Sequence, residues 1–207
     1  MSKSSGRWLK EHFSDPYVKK SWEDGYRSRA AYKLTELQKK YRFIKPNMRV
    51  VDLGAAPGSW SQVAVQHIGK RGTLIALDLL EIDPIPNVTF LQGDFTEETA
   101  YQKLIAELGD QAADLILSDM APNMSGNKTS DQINSLALTE LAYDFAKNTL
   151  ALHGHFVSKV FQGPGLDQLI RAAKLNFTKV HLCKPDASRD RSPEHFLVCL
   201  DFKKGCL

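Results

Sequence analysis

RVVDLGAAPGSWSQVAVQHIG, residues 49–69, decides the fold. Val50, Val51 and Leu53 make a short apolar run closed by Gly54, the pattern of a buried strand ending in a tight turn. Residues 59–68 follow as a helix and stop at Gly69 and Gly72. Further along, strands are expected at TLIALDL (73–79), VTFLQG (88–93), ADLILSDM (113–120), GHFVSKVF (154–161), KVHLCK (179–184) and HFLVCLDF (195–202). Helices are expected at 97–108, 129–150 and 165–175, the long one carrying Ile133, Leu136, Leu141 and Phe145 on one face. Alternating strands and helices, with strands apolar throughout, predict an α/β fold with a mostly parallel sheet covered on both faces. The last strand follows its predecessor across a loop too short for a crossover helix, so it is expected to run antiparallel.

Upstream, SRAAYKLTELQKK (28–40) has Ala31, Leu34 and Leu37 at helical spacing behind Ser28 as N-cap. Residues 1–27 mix Lys, Ser, Asp and Pro with Trp8, Phe13, Tyr17 and Trp22 without a period, which reads as a basic N-terminal arm on a single domain, 28–207. The 207 residues, 43% hydrophobic and 25% charged, suffice for one sizeable core. No run of 18 apolar residues offers a membrane span, and the N-terminus lacks the apolar stretch of a secretory signal, so a cytoplasmic protein is expected. Cys183, Cys199 and Cys206 show no C-x-x-C spacing, which argues against a disulfide framework or a zinc site. Cys183 and Cys199 lie in apolar runs and read as buried; His153 and His155, flanking Gly154, read as structural, and no metal is expected.

The net charge of +3 hides an asymmetry. Residues 1–49 hold 13 Lys and Arg against 5 Asp and Glu, a balance of +8, and the remainder holds 14 against 19, a balance of −5. A basic segment on a mildly acidic body suits contact with a polyanion, although a solvated helix face with a loose tail has the same composition.

In wound α/β sheets ligands bind beyond the carboxyl ends of the strands. Those ends deliver Asp52 and the Gly54–Trp60 loop, Asp78, Asp94, Ser118–Asn123 and Lys159, with Glu194 ahead of the last strand. The loop is Gly54-x-x-x-Gly58 with Pro57 inside it, neither G-x-G-x-x-G nor a Gly-Lys-Ser/Thr phosphate loop. Asp78 stands where an acid takes ribose hydroxyls, so a nucleoside without a pyrophosphate, S-adenosylmethionine, fits best. A turn that uses glycine only for close packing is the alternative.

VVDLGAAPGSWSQ (50–62), LSDMAPNMSG (117–126), VSKVFQG (157–163) and RSPEHFLVC (191–199) together resemble the FtsJ-type ribose 2′-O-methyltransferases, from about Ser28 to Phe202. Ser59 departs from the more usual Pro-Gly-Gly-Trp and is acceptable as a helix N-cap. The resemblance implies a Rossmann-like S-adenosylmethionine-dependent fold of seven strands and a Lys-Asp-Lys-Glu tetrad falling on Lys33, Asp119, Lys159 and Glu194. It also implies cofactor contacts at Gly58, Trp60, Asp78, Asp94 and Asp119, with Asp78 on the ribose, Asp94 at the adenine edge and Asp119 toward the methionine. From the residues alone Asp94 also reads as an N-cap, Trp60 as core, and each tetrad member as an ordinary surface charge.

Transfer to a ribose hydroxyl needs a base within hydrogen-bond reach and a collinear oxygen, methyl carbon and sulfur. Lys159 is expected as proton acceptor; a lysine that stays charged and orients the hydroxyl is the alternative. The family acts on RNA, and its nearest members act on a uridine of large-subunit ribosomal RNA within the assembled subunit, so that particle is the expected partner of a monomeric enzyme. Arg27 and Arg29 are expected to grip phosphates. The same tetrad serves methyltransferases of transfer RNA and messenger RNA caps. A non-catalytic assembly factor and a nicotinamide oxidoreductase are the readings from other classes.

Overall fold

The computed structural model describes residues 14–189 and 192–203. Trp8 and Phe13 of the arm, and Cys206, lie outside them. The elements are α1 (Pro16–Glu23), α2 (Ala30–Tyr41), β1 (Arg49–Leu53), α3 (Ser59–Ile68), β2 (Thr73–Asp78), β3 (Val88–Gln92), α4 (Glu98–Leu108), β4 (Ala113–Ser118), α5 (Lys128–Thr149), β5 (Leu150–Phe161), α6 (Leu166–Asn176), β6 (Phe177–Cys183) and β7 (Glu194–Phe202).

One seven-stranded sheet has the order β3-β2-β1-β4-β5-β7-β6. The first five strands pair in parallel, while β7 runs antiparallel to both neighbours and is inserted between β5 and β6. Strand order reverses at β1, whose neighbours are β2 and β4, and this opens a crevice beyond their carboxyl ends. Alternate residues feed two cores. Val51, Leu53, Ile116 and Leu197 face α4, α5 and α6, while Val50, Leu115, Val157, Phe196 and Val198 face α2 and α3.

Helix α1 lies within the segment expected as an arm. Asp15 caps it by accepting from the Tyr17 N–H at 3.0 Å, Pro16 occupies its first turn, and Val18 and Ser21 are buried. The Tyr17 ring stands 5.4 Å from that of Tyr32 on α2. Ser28 is not the N-cap of α2: Arg29 holds that position, and Ser28 Oγ accepts from the Ala30 N–H one residue further out.

Helix α5 corrects the expected apolar face. Ile133 is 54% exposed and Leu141 38%, whereas Asp131, Ser135, Thr139, Ala142, Tyr143 and Ala146 are buried beside Phe145. The inner face is polar because it ties down strand ends. Asp131 accepts from the Ser125 N–H and hydroxyl and the Gly126 N–H, which hold its carboxyl below the usual range, and the Thr139 hydroxyl donates to the Lys159 carbonyl at 3.1 Å. Cys199 is buried and Cys183 half-buried. His155 Nδ1 accepts from the Asp201 N–H, and His153 Nδ1 lies 2.5 Å from the Asp201 carboxylate, both at the end of the sheet away from the strand-end crevice. No helix among the described residues is long and apolar enough to cross a membrane.

Candidate active site

The Gly54–Gly58 loop turns its amides inward. Gly54 and Ala55 N–H donate to the Leu77 carbonyl, Ala56 N–H to Asp78 Oδ2 at 2.9 Å, and Gly58 N–H to the Ala55 carbonyl. Those donors are spent on the protein, so the loop offers no pyrophosphate cradle. Gly54 has φ +75°, and a Cβ there would stand 2.8 Å from the Met120 N and Cα, so β1 and β4 approach each other too closely for any side chain.

The crevice is a cavity of about 250 Å³ lined by Gly54, Ala56, Asp78, Asp94, Asp119 and Met120, with Leu77, Leu80, Phe95 and Leu138 as apolar walls. It continues outward past Asn123 and Asn134. Among the described residues three carboxylates line it and no Lys or Arg does. Asp78 spans the loop and the β2 end, accepting from Ala56 and Leu80 N–H. Asp94 is not an N-cap. Glu97 holds the cap position of α4, and Asp94 Oδ1 accepts from the Thr96 N–H and hydroxyl, bonds that hold its carboxyl below the usual range.

Two ion pairs stand at this end of the sheet, one of them on the cavity-lining Asp119. Lys159 Nζ donates to the Asp119 carbonyl at 2.6 Å and lies 3.1 Å from Asp119 Oδ1, an ion-pair contact whose angle makes no hydrogen bond, so that buried oxygen has no hydrogen-bond partner. Lys33 Nζ lies 2.7 Å from both carboxylate oxygens of Glu194. Register brings the pairs to one face. Lys159 opposes Phe196, and Glu194 stands two residues from Phe196, so both project toward α2 and α3. Lys33 Nζ stands 5.9 Å from the centre of the Phe196 ring.

Other expected residues fall elsewhere. The Trp60 side chain is core rather than cavity wall: it is 2% exposed, donates Nε1–H to the Ala30 carbonyl at 3.0 Å and packs on Phe196. Gly58 is the N-cap of α3 and abuts Arg27 and Ile85 on the outer side of the loop. Ser59 is therefore the first helical residue, and its hydroxyl meets that of Ser28 at 2.6 Å. Both arginines expected to grip phosphates also bond to the protein. The Arg27 guanidinium donates to the Pro57 and Pro84 carbonyls, and Arg29 pairs with Asp15 and donates to the Ala187 carbonyl.

Asp52 is fully buried, accepts from Ser61 Oγ at 2.6 Å, and has its other oxygen unpartnered. Burial pushes its carboxyl up to about 7, the Asp119 and Asp78 charges adding to the rise and Ser61 opposing it. A folded value above the ordinary 3.8 means that the native state keeps a proton the unfolded chain loses. Stability therefore falls as pH rises from about 4 to about 7. Asp52→Asn removes that dependence, so the variant gains stability relative to the parent between pH 4 and pH 8 in urea titrations. A difference that stays constant with pH contradicts a raised Asp52.

An open α/β sheet with an acid-lined crevice at its switch point, and with largely buried Lys–Asp and Lys–Glu pairs at the same end of the sheet, has a Rossmann-like methyltransferase architecture. The chain belongs to the FtsJ-like methyltransferase family, whose sequence profile it matches over residues 26–202. It is 55% identical over 202 residues to ribosomal RNA large subunit methyltransferase E of Pseudomonas aeruginosa, covering 98% of each chain. It is 53% identical over 205 residues to the protein of that name in Acinetobacter baumannii, covering 99% of this chain and 95% of the other. A solved Plasmodium falciparum structure assigned as a ribosomal RNA methyltransferase superposes with a TM-score of 0.76 at 38% identity, over 86% of this chain and 98% of that one.

Proposed function

We propose that this chain transfers a methyl group from S-adenosylmethionine to the ribose 2′-hydroxyl of a uridine in large-subunit (23S) ribosomal RNA, within the assembled 50S subunit. One observation carries the reading: the crevice is lined by Asp78, Asp94 and Asp119 with no cation among the described lining residues, and it opens beside Lys159. Three carboxylates repel a phosphate and suit a ligand with ribose hydroxyls and positive charge. The names of the relatives from Pseudomonas and Acinetobacter support large-subunit ribosomal RNA as the substrate.

When bound, S-adenosylmethionine supplies an electrophilic methyl carbon on a positively charged sulfur. Asp78 takes the ribose hydroxyls at the end of β2, Asp94 the adenine edge through its free oxygen, and Asp119 the methionine end. Gly54 lets the backbone approach; Gly58 and Trp60 hold the loop and α3 from behind rather than touching the ligand. Lys159 accepts the proton of the 2′-hydroxyl as the oxygen attacks in line, and Lys33 with Glu194 holds the ribose from the α2 side. The two Asp119 contacts of Lys159 favour a second reading, in which the ammonium keeps its proton and only orients the hydroxyl. The pH dependence of transfer separates them. A rate that rises with pH while donor affinity stays constant supports the base, and a flat profile across pH 6–9 contradicts it.

The protein is proposed to work in the cytoplasm as a monomer, with the basic segment 1–27 along the RNA. Labelled donor tests the partner with 50S subunits, naked ribosomal RNA and transfer RNA, all from cells lacking the activity. Label in the subunit at one site is the expected result. Label only in transfer RNA overturns the substrate, and a bound donor with no transfer to any of them points to an assembly factor.

A further inference from the structure

We propose that Ser188, seated by Arg29 and Glu36, is the positioning residue for the Lys33–Glu194 half of the site, and that one face of α2 holds the β6–β7 connection in the register transfer requires. The inference rests on the reading of Lys33 and Glu194 as part of the transfer machinery.

Arg29, Lys33 and Glu36 are spaced i, i+4 and i+7, which puts them on one face of a helix. Arg29 and Glu36 engage the connection at Ala187, and Lys33 engages the first residue of β7. Arg29 donates to the Ala187 carbonyl, Glu36 accepts from the Ala187 N–H with both oxygens at 3.1 and 3.2 Å, and Lys33 meets Glu194. Both backbone polar groups of Ala187, a residue 0% exposed, are thus gripped by side chains of opposite charge. The next residue, Ser188, is 3% exposed and donates its hydroxyl to Glu194 Oε1 at 2.8 Å. A continuous polar path therefore runs from Arg29 and Glu36 through the Ala187 backbone and Ser188 Oγ to Glu194 and the Lys33 ammonium.

The path is braced from outside. Asp15, which caps α1, accepts from Arg29 and, at 3.4 Å, from Arg189, while the Tyr17 hydroxyl donates to Glu36 Oε1 at 3.3 Å. Burying charges to hold a connector is a costly way to gain stability, since apolar packing does as well or better. What such a network fixes is geometry: Glu194 Oε1 accepts from Ser188 at 2.8 Å while both carboxylate oxygens lie 2.7 Å from Lys33 Nζ, which holds Lys33 on the face that carries Lys159. None of Arg29, Glu36, Ser188 or Glu194 lines the donor cavity. Loosening the seat should therefore slow transfer without weakening donor binding.

The test compares Ser188→Ala and Glu36→Gln with the parent and with Lys33→Ala. It reads donor Kd by calorimetry, kcat and KM for the RNA substrate, and thermal unfolding. Ser188→Ala is expected to lower kcat about 10- to 100-fold, the scale of a displaced reacting group, with donor Kd within about twofold. Glu36→Gln, which keeps an acceptor but loses the charge, is expected to lower kcat in the same sense by a smaller factor, and it decides the matter if Ser188→Ala fails to fold. A lower unfolding temperature with kcat per folded molecule unchanged assigns the network a structural role only and overturns the inference. Wild-type kcat in Lys33→Ala overturns the reading of the site and the inference with it. A dead Lys33→Ala beside fully active Ser188→Ala and Glu36→Gln overturns the inference alone.

Discussion

Lys159→Met lowers the rate of methyl transfer by about 10²- to 10⁴-fold, the range attributed to a positioned proton acceptor, and leaves donor affinity intact. Methionine keeps most of the length and apolar stem of lysine at a residue that is 8% exposed, so the buried space stays filled. The ammonium is what goes, and with it the contacts at 2.6 and 3.1 Å to Asp119. Losing a partner leaves the half-buried Asp119 less satisfied, at a cost of about 1–3 kcal/mol in stability, so transfer is compared per folded molecule. Lys159 lies outside the lining of the donor cavity, Asp78 and Asp94 are untouched, and Asp119 stays placed by its N–H donating to the Leu53 carbonyl at 3.0 Å, so donor Kd is expected within about twofold of the parent. Single-turnover transfer from labelled donor provides the measurement. A Lys159→Met protein within tenfold of the parent contradicts the role given to this residue.

Gly54→Ala abolishes donor binding and destabilises the fold by about 2–4 kcal/mol. The added Cβ meets Met120 N and Cα at 2.8 Å, main-chain atoms that cannot swing aside, and the residue sits at φ +75°, where an L side chain is strained by about 1–2 kcal/mol. Relief requires the β4 end to move, and that end carries Asp119 and Met120, both cavity walls. Gly109→Ala is the matched control. Its φ is +59° and its Cβ meets nothing within 4 Å, so only the backbone strain of about 1–2 kcal/mol is expected, with full donor binding. Equal stability for the two variants, together with donor binding by Gly54→Ala, contradicts a close approach at the switch point.

The sheet was legible in the chain because a parallel strand covered on both faces must be mostly apolar, as Val50, Val51 and Leu53 are around the one buried carboxyl of Asp52, and as Leu115–Leu117 are. The carboxylates of the crevice were legible for the related reason that strand ends are fixed once strands are. Side-chain facing was less so. Ile133 and Leu141 drew the apolar stripe of α5 to the wrong side, because the inner face spends Asp131 and Thr139 on holding Ser125, Gly126 and Lys159. The Asp15–Pro16 pair, an N-cap followed by proline at the first helical position, was the available signal for α1. Arg29 reads as a surface charge because its partners Asp15 and Ala187 lie on elements that only the tertiary fold brings together, 14 and 158 residues away. Trp60 was undecidable locally, since an indole behind a glycine loop serves core and ligand equally well until Ala30 and Phe196 are placed beside it.

The most direct measurement is the position of the transferred methyl. Labelled donor is incubated with 50S subunits from cells lacking the activity, and the RNA is hydrolysed in alkali, which cannot cleave next to a 2′-O-methylated ribose. Label confined to one alkali-resistant dinucleotide beginning with uridine is the expected result, and its loss with Lys159→Met ties the product to the proposed site. Label released in mononucleotides places the methyl on a base and contradicts ribose transfer.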